Sequence, residues 1–267
     1  MKIANKINSS FFVVVAILAA FAMFIFYMAG KTHLQKAIYA HLSTTARSRA
    51  HHIETFLKTQ KNAAIQLSKS IVLEEFLSAG KEDPDYIQRF NRAMRRLKAT
   101  EKANEFTSEL FVIDKNGKIA ASSDRSKIGL DRSTDSYFLG GKKGPYIKDA
   151  YYSKTMAEKC LVFSAPIEDS NTGEFLGVIV AKIKMDMLNE ITTDRIGLGE
   201  TGELYLVNKY GYLITPSRFR KDVFLKQKID TENTRKFFED LKKYGGKTHP
   251  HEAFIYRDYR ACELVRL

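Results

Sequence analysis

Glu109-Leu-Phe-Val-Ile-Asp-Lys-Asn-Gly-Lys-Ile-Ala-Ala-Ser122 contains two apolar-rich runs joined by Asp114-Lys115-Asn116-Gly117. β-formers on either side of a turn that ends in Gly predict a β-hairpin. A second pair of runs, Cys160-Leu-Val-Phe-Ser-Ala-Pro-Ile167 and Phe175-Leu-Gly-Val-Ile-Val-Ala-Lys-Ile183, flanks the turn cluster Asp169-Ser-Asn-Thr-Gly173. Between the two pairs, Asp131 to Tyr152 is rich in Tyr, Gly and charge and only weakly patterned. It is expected to be a long connection on a rigid sheet, where binding groups usually sit. Glu109 to Ile183 therefore reads as one small sheet-built module.

Toward the N-terminus, Leu34, Ile38, Leu42, Ala46, Ala50, Ile53, Leu57, Ala64, Leu67 and Ile71 recur at steps of mostly three and four, with Gln60 in the gap. This spacing predicts one amphipathic helix to about Leu77. Ser78-Ala-Gly80 ends it, and Asp83-Pro84-Asp85 starts a second helix with Tyr86, Phe90, Met94 and Leu97 on one face. The long helix is expected to serve as a spine that pairs with a second copy along part of its length. His51 and His52 point about 100° apart on a helix and cannot chelate one ion together. Before the spine, Phe11 to Gly30 carries no charge and is mostly apolar, long enough for the roughly 30 Å hydrocarbon core of a bilayer. An uncleaved transmembrane helix is expected here. The rival, a signal peptide, has a shorter apolar region ending in a small-x-small site, whereas this run ends in Phe26-Tyr27-Met28.

Glu109 to Ser123 can be laid without gaps over Glu203-Leu-Tyr-Leu-Val-Asn-Lys-Tyr-Gly-Tyr-Leu-Ile-Thr-Pro-Ser217, an offset of 94 residues. Apolar positions coincide along both strands, and that offset is the size of a small α/β module, so the chain reads as a duplication. The second copy is expected to have its opening hairpin, a helix from Thr231 to Tyr244 and a strand at Ala253 to Tyr259. It lacks the closing strand pair. The expected fold is α+β: a transmembrane helix, a long spine and two tandem antiparallel-sheet modules, the second incomplete. The expected divisions are a cytoplasmic terminus at 1–10, the span at 11–30, the spine and second helix at 31–104, a ligand-binding module at 105–185, a linking helix at 186–201 and a truncated module at 202–267.

The net charge of +12 brings nucleic acid into view. The basic residues are scattered along helices without any nucleic-acid motif, so no nucleic-acid partner is expected. Two cysteines, Cys160 and Cys262, make no disulfide framework. Gly197-Leu-Gly199-Glu-Thr-Gly202 has the form of a dinucleotide loop but precedes a strand instead of opening a helix. His249-Pro-His251-Glu252 lacks further ligands for a metal. No catalytic group, metal or cofactor is expected.

Gly129-Leu-Asp-Arg-Ser-Thr-Asp-Ser-Tyr-Phe138, Gly144-Pro-Tyr-Ile-Lys-Asp-Ala-Tyr-Tyr-Ser153, Phe163-Ser-Ala-Pro-Ile167 and Gly177-Val-Ile-Val-Ala181, behind a span and a long helix, resemble the double Cache family of PAS-like extracytoplasmic sensors. The resemblance covers about Leu34 to Tyr259. It implies a periplasmic sensor in the cell inner membrane whose membrane-distal module binds a small molecule. It further implies the sensing part of a signal-transduction receptor, with histidine kinase output favoured over chemoreceptor or diguanylate cyclase output. A membrane-anchored interaction module without signalling is the alternative. Past Arg257-Asp-Tyr-Arg260, where members continue with Gly and an apolar strand, Ala261 to Leu267 resembles a truncation.

In the family's amino-acid-binding branch, an Arg two residues before an aromatic pair holds the ligand carboxylate and an Asp on the last strand holds its ammonium. Here the aromatic pair is Tyr137-Phe138, and the corresponding positions are Asp135 and Lys182. Both charges are reversed, which points away from an α-amino acid and toward a small organic anion. Tyr137, Phe138, Tyr146 and Tyr151 are expected to supply walls with polar tips, Asp149 an acceptor and Lys182 a cation. Strand alternation puts Lys182 on the face of Val178 and Val180. A Lys buried there needs an anionic partner, a ligand carboxylate or Asp135 or Asp149.

Overall fold

The computed structural model describes residues 2–153, 158–208, 210–231, 234–235, 239, 254–255 and 261–262, with backbone alone for 2–10, 254–255 and 261–262. Helix α1, Lys2–Ser68, runs 67 residues with Gly30 as its one glycine and no proline. Its sequence divides it into two regimes. From Phe11 to Met28 the large apolar side chains are exposed on all faces, Phe26 at 78%. Such a surface suits a candidate membrane span, and this is the one described helix long and apolar enough to cross a bilayer. From Leu42 on, the periodic stripe is buried: Leu42, Ala46, Ala50, Ile53, Leu57, Ala64 and Leu67 pack inward. Gln60, the polar member of the stripe, is also buried and accepts a hydrogen bond from Asn104 Nδ2 at 2.9 Å.

The helix predicted to reach Leu77 breaks at Lys69-Ser70. Ser68 Oγ donates to the Ile65 carbonyl at 2.8 Å, and Ser70 is extended at φ −76°, ψ 117°. Side-chain bonding to the preceding turn competes with the helical ladder here. Helix α2, Ile71–Ser78, starts in a new phase that leaves Ile71 exposed and buries Leu73 and Phe76. Helix α3, Tyr86–Ala103, buries Met94 and Leu97, with Tyr86 and Phe90 half-buried against Phe76.

Strands β1 (Thr107–Asp114), β2 (Ile119–Ser122), β3 (Tyr146–Ser153), β4 (Glu158–Glu168) and β5 (Phe175–Lys184) form one antiparallel sheet in the order β2-β1-β5-β4-β3. Strand β3 was not expected: it lies inside the stretch read as an unstructured connection. Its register shifts between Lys148 and Tyr151, and that bulge on an edge strand erases the two-residue alternation. Helix α4, Ser136–Gly141, lies in the same stretch and buries Tyr137 and Phe138.

The sheet has two covered faces. Leu110, Val112, Leu161, Phe163, Ile179, Ala181 and Ile183 pack against α1, α2 and α3. Phe111, Ile113, Ile119, Val162, Val178 and Val180 pack on the opposite face under Tyr137 and Phe138. Helix α5, Asp186–Thr193, follows β5 and is tied to the spine by Arg49. The Arg49 guanidinium donates to Ile191 O at 2.7 Å and Ile196 O at 3.2 Å and meets Asp194 at 2.6 Å.

The repeat seen in sequence recurs bond for bond. In the first hairpin Asp114 Oδ1 accepts from Asn116 N at 2.9 Å and Lys118 N at 3.0 Å. In the second, Asn208 Oδ1 accepts from Tyr210 N and Tyr212 N, both at 3.0 Å. Gly117 and Gly211 take φ of 86° and 84° at the same turn position, a conformation costly for any residue with a Cβ. Bridges Lys118 to Asp131 and Tyr212 to Lys228 extend the correspondence. Val207, Leu213, Val223 and Tyr205 form a small core of their own. The predicted strand 253–259 is described only at β6 (Phe254–Ile255), which pairs antiparallel with β7 (Ala261–Cys262). Most of the predicted helix from Thr231 to Tyr244, and His249 and His251, lie outside the described residues.

Candidate functional site

The sheet face turned away from the spine carries the charged residues. Its register lines up Lys148 of β3, Val162 of β4, Lys182 of β5 and Glu109 of β1 in one row across four strands. Lys182 is 4% exposed and its Nζ donates to Glu109 Oε2 at 2.7 Å. Its partner is thus Glu109, and neither Asp135 nor Asp149. Glu109 also takes Lys127 Nζ at 3.1 Å, and Lys127 in turn meets Asp124 at 3.3 Å. Lys182 additionally lies 5.3 Å from the Phe111 ring centroid.

Helix α4 roofs this row. It can lie close because Gly140 and Gly141 have no side chains: a Cβ on Gly141 would come within 2.7 Å of both Ser164 Oγ and Val178 Cγ1, and one on Gly140 within 2.4 Å of the Tyr146 ring. The Ser164 hydroxyl donates to Tyr137 O at 2.8 Å, fixing the helix to β4. Tyr137 packs edge-on against Phe111 and donates its hydroxyl to Asp135 Oδ2 at 2.5 Å. Asp135 is also 3.7 Å from Arg132.

Lys148 completes the group. Its Nζ lies 4.1 Å from the Tyr151 ring centroid and 5.3 Å from that of Tyr137. Three carboxylates on this face are paired, Glu109 with Lys182 and Lys127, Asp124 with Lys127, and Asp135 with Arg132. Lys148 has aromatic faces and no carboxylate partner among the described residues.

Burial, and then the hydrogen bond to Asp135, raise the Tyr137 hydroxyl above the ordinary tyrosine range. Burial and the neighbouring Cys160 raise Tyr151 in the same way, and burial raises the Cys160 thiol. All three are protonated at neutral pH, and the Tyr137 proton is given to Asp135.

Of the residues singled out from sequence, Asp135, Tyr137, Tyr151 and Lys182 share this face, with Phe138 and Tyr146 in the apolar packing beside them. Asp149 lies in the β3 bulge, its Oδ1 accepting from Ala150 N at 2.8 Å. Sequence reasoning missed Lys148 and Glu109. Glu109 stands two residues before Phe111 and directly across from Lys182, so pairing the first and last strands would have found it. Lys148 was hidden by the unrecognised strand.

A Cache domain family model matches residues 30–254. The chain belongs to the Cache domain family. Cache domains are extracellular sensor domains of membrane receptors, which accords with a span leading directly into the spine. The V. cholerae histidine kinase DctB sensor domain is similar in fold, with a TM-score of 0.58 at 17% identity over 81% of this chain and 80% of that one. The sensory domain of the Campylobacter jejuni chemoreceptor Tlp3 with isoleucine bound is also similar, with a TM-score of 0.54 at 16% identity over 76% of this chain and 82% of that one. At these identities the likeness shows the Cache fold. A search of curated proteins gives no match.

Proposed function

We propose that this Cache chain is the extracytoplasmic sensing region of a bacterial receptor that detects a small organic anion on the outer sheet face of residues 105–185. The observation that carries the ligand class is Lys148, a cation over Tyr137 and Tyr151 on a face where Glu109 and Asp135 already have cations of their own. A ligand carboxylate there would gain the Lys148 ammonium, held over two aromatic faces. The Tlp3 domain binds isoleucine, but Asp135 and Lys182 stand here where an amino-acid carboxylate and ammonium would each need the opposite charge.

In this reading residues 11–30 anchor the chain in the inner membrane, residues 31–104 form the spine and second helix, 186–201 link the modules, and 202–267 make the membrane-proximal module. A homodimer through α1 would give the signal its path, and histidine kinase output fits the DctB likeness. Chemoreceptor output is the second reading, on the likeness to Tlp3. Neither reading gives this chain catalysis of its own.

The test is a thermal-shift screen of the full chain in lipid nanodiscs against acetate, lactate, succinate, amines and amino acids. A ligand that binds only the folded state raises Tm with concentration. An organic acid should do so, and Lys148→Ala should weaken it about tenfold or more, the worth of one charge-assisted hydrogen bond. Stabilisation only by neutral or cationic compounds would overturn the proposal.

A further inference from the structure

The second copy of the hairpin carries a carboxylate that the first copy neutralises. Glu203 occupies the position of Glu109 and Tyr205 that of Phe111. Glu109 has two cations, Lys182 at 2.7 Å and Lys127 at 3.1 Å. Glu203 is just as buried, at 5% exposure, and has neither. The Ser217 hydroxyl and the Arg218 N–H, the latter at 2.7 Å, both donate to Glu203 Oε1. Among the described residues nothing donates to Oε2. No described strand of this module takes the place of β5.

Glu203 lines a cavity of about 310 Å³ whose other walls include Tyr205, Leu213, Gln227 and Ile229. Exposed Arg220, Lys228 and Asp230 also line it. Gln227 donates its side-chain amide to Lys228 O at 2.9 Å, leaving its side-chain oxygen as a second acceptor. A buried carboxylate without a cation is expensive, and a cationic ligand that reaches it recovers that cost. The cavity is of the size that small ligands fill.

We propose that this cavity is a second ligand site, selective for a small organic ammonium compound. The ammonium donates to Oε2 of Glu203 and the amide oxygen of Gln227, and the alkyl part rests on Tyr205, Leu213 and Ile229. The two copies of one hairpin thereby take ligands of opposite charge, because among the described residues only the first has cations against its glutamate. The ammonium can belong to a free amine or to the amino group of an amino acid, whose carboxylate would then meet Arg220 or Lys228.

Calorimetric titration of the full chain in nanodiscs with propylamine, valine and propionate tests this. Propylamine or valine should bind, and Glu203→Gln should weaken that binding at least about tenfold, while Lys148→Ala leaves it unchanged. Binding of both assigns recognition to the ammonium alone; binding of valine without propylamine adds a carboxylate contact at Arg220 or Lys228, and loss of affinity in Glu203→Gln supports the site in either case. If Glu203→Gln does not fold, Lys228→Glu is the second variant, and it should tighten propylamine. The proposal is overturned if neither ammonium compound binds, if propionate binds the Lys148→Ala variant as well as they do, or if both Glu203→Gln and Lys228→Glu bind propylamine like wild type. Because Lys148 belongs to the other site, a failure here is separable from a failure of the anion site.

Discussion

At the scale of single residues, the site depends on how its buried charges are shared. Glu109 and Lys182 are each almost fully buried, and their pairing is close and direct. Lys182→Ala leaves Glu109 with Lys127 alone, and is expected to cost about 3 kcal/mol of stability, read by urea denaturation in detergent. Lys148→Ala breaks no ion pair and should leave stability within about 0.5 kcal/mol of wild type while lowering affinity for an organic acid. The tyrosines give a test in pH. Burial holds Tyr137 and Tyr151 protonated in the folded chain beyond the ordinary tyrosine value of about 10. The unfolded chain therefore releases these protons first as pH rises. The stability they contribute is fully present below about pH 10 and is lost above it. Tyr137→Phe and Tyr151→Phe should each flatten the fall of Tm between pH 9 and 11.

At the scale of elements, α4 positions the site because two glycines let it touch the sheet. Gly141→Ala places a methyl against Ser164 and Val178. It should lift α4 and Tyr137 off β4, weakening organic-acid binding several-fold at modest cost in Tm. The spine and the hairpins were legible because their patterns are regular: a three-and-four stripe from Leu42 to Leu67, and alternation broken by Gly117 and Gly211. The break at Ser70 was not, because a serine that bonds its own preceding turn looks like any polar helix residue. Strand β3 was missed for a similar reason. Its bulge between Lys148 and Tyr151 puts residues of both kinds on both faces. With that strand hidden, Lys148 was not weighed as a cation of this face beside Lys182, which is paired with Glu109.

At the scale of the whole molecule, one helix joins the candidate span to the sheet. The span from Phe11 continues without interruption into the stripe that carries the sheet, and Arg49 joins that stripe to α5 and to the segment leading into the second hairpin. A ligand shifts this assembly only by preferring one of its arrangements. Arg49→Ala removes the Asp194 ion pair and both carbonyl contacts, and is expected to lower Tm without changing organic-acid affinity, since it lies on the other side of the sheet from Lys148. The chain contains no tryptophan, so one can be placed to watch the site alone. Tyr151→Trp keeps an aromatic face under Lys148 and makes indole emission a direct report on that face. Titrating this variant in nanodiscs with the organic acid found by thermal shift should give a saturable emission change that disappears in Tyr151→Trp/Lys148→Ala. An unchanged spectrum at saturating acid, or the same response with and without Lys148, would contradict the assignment of this face as an anion site.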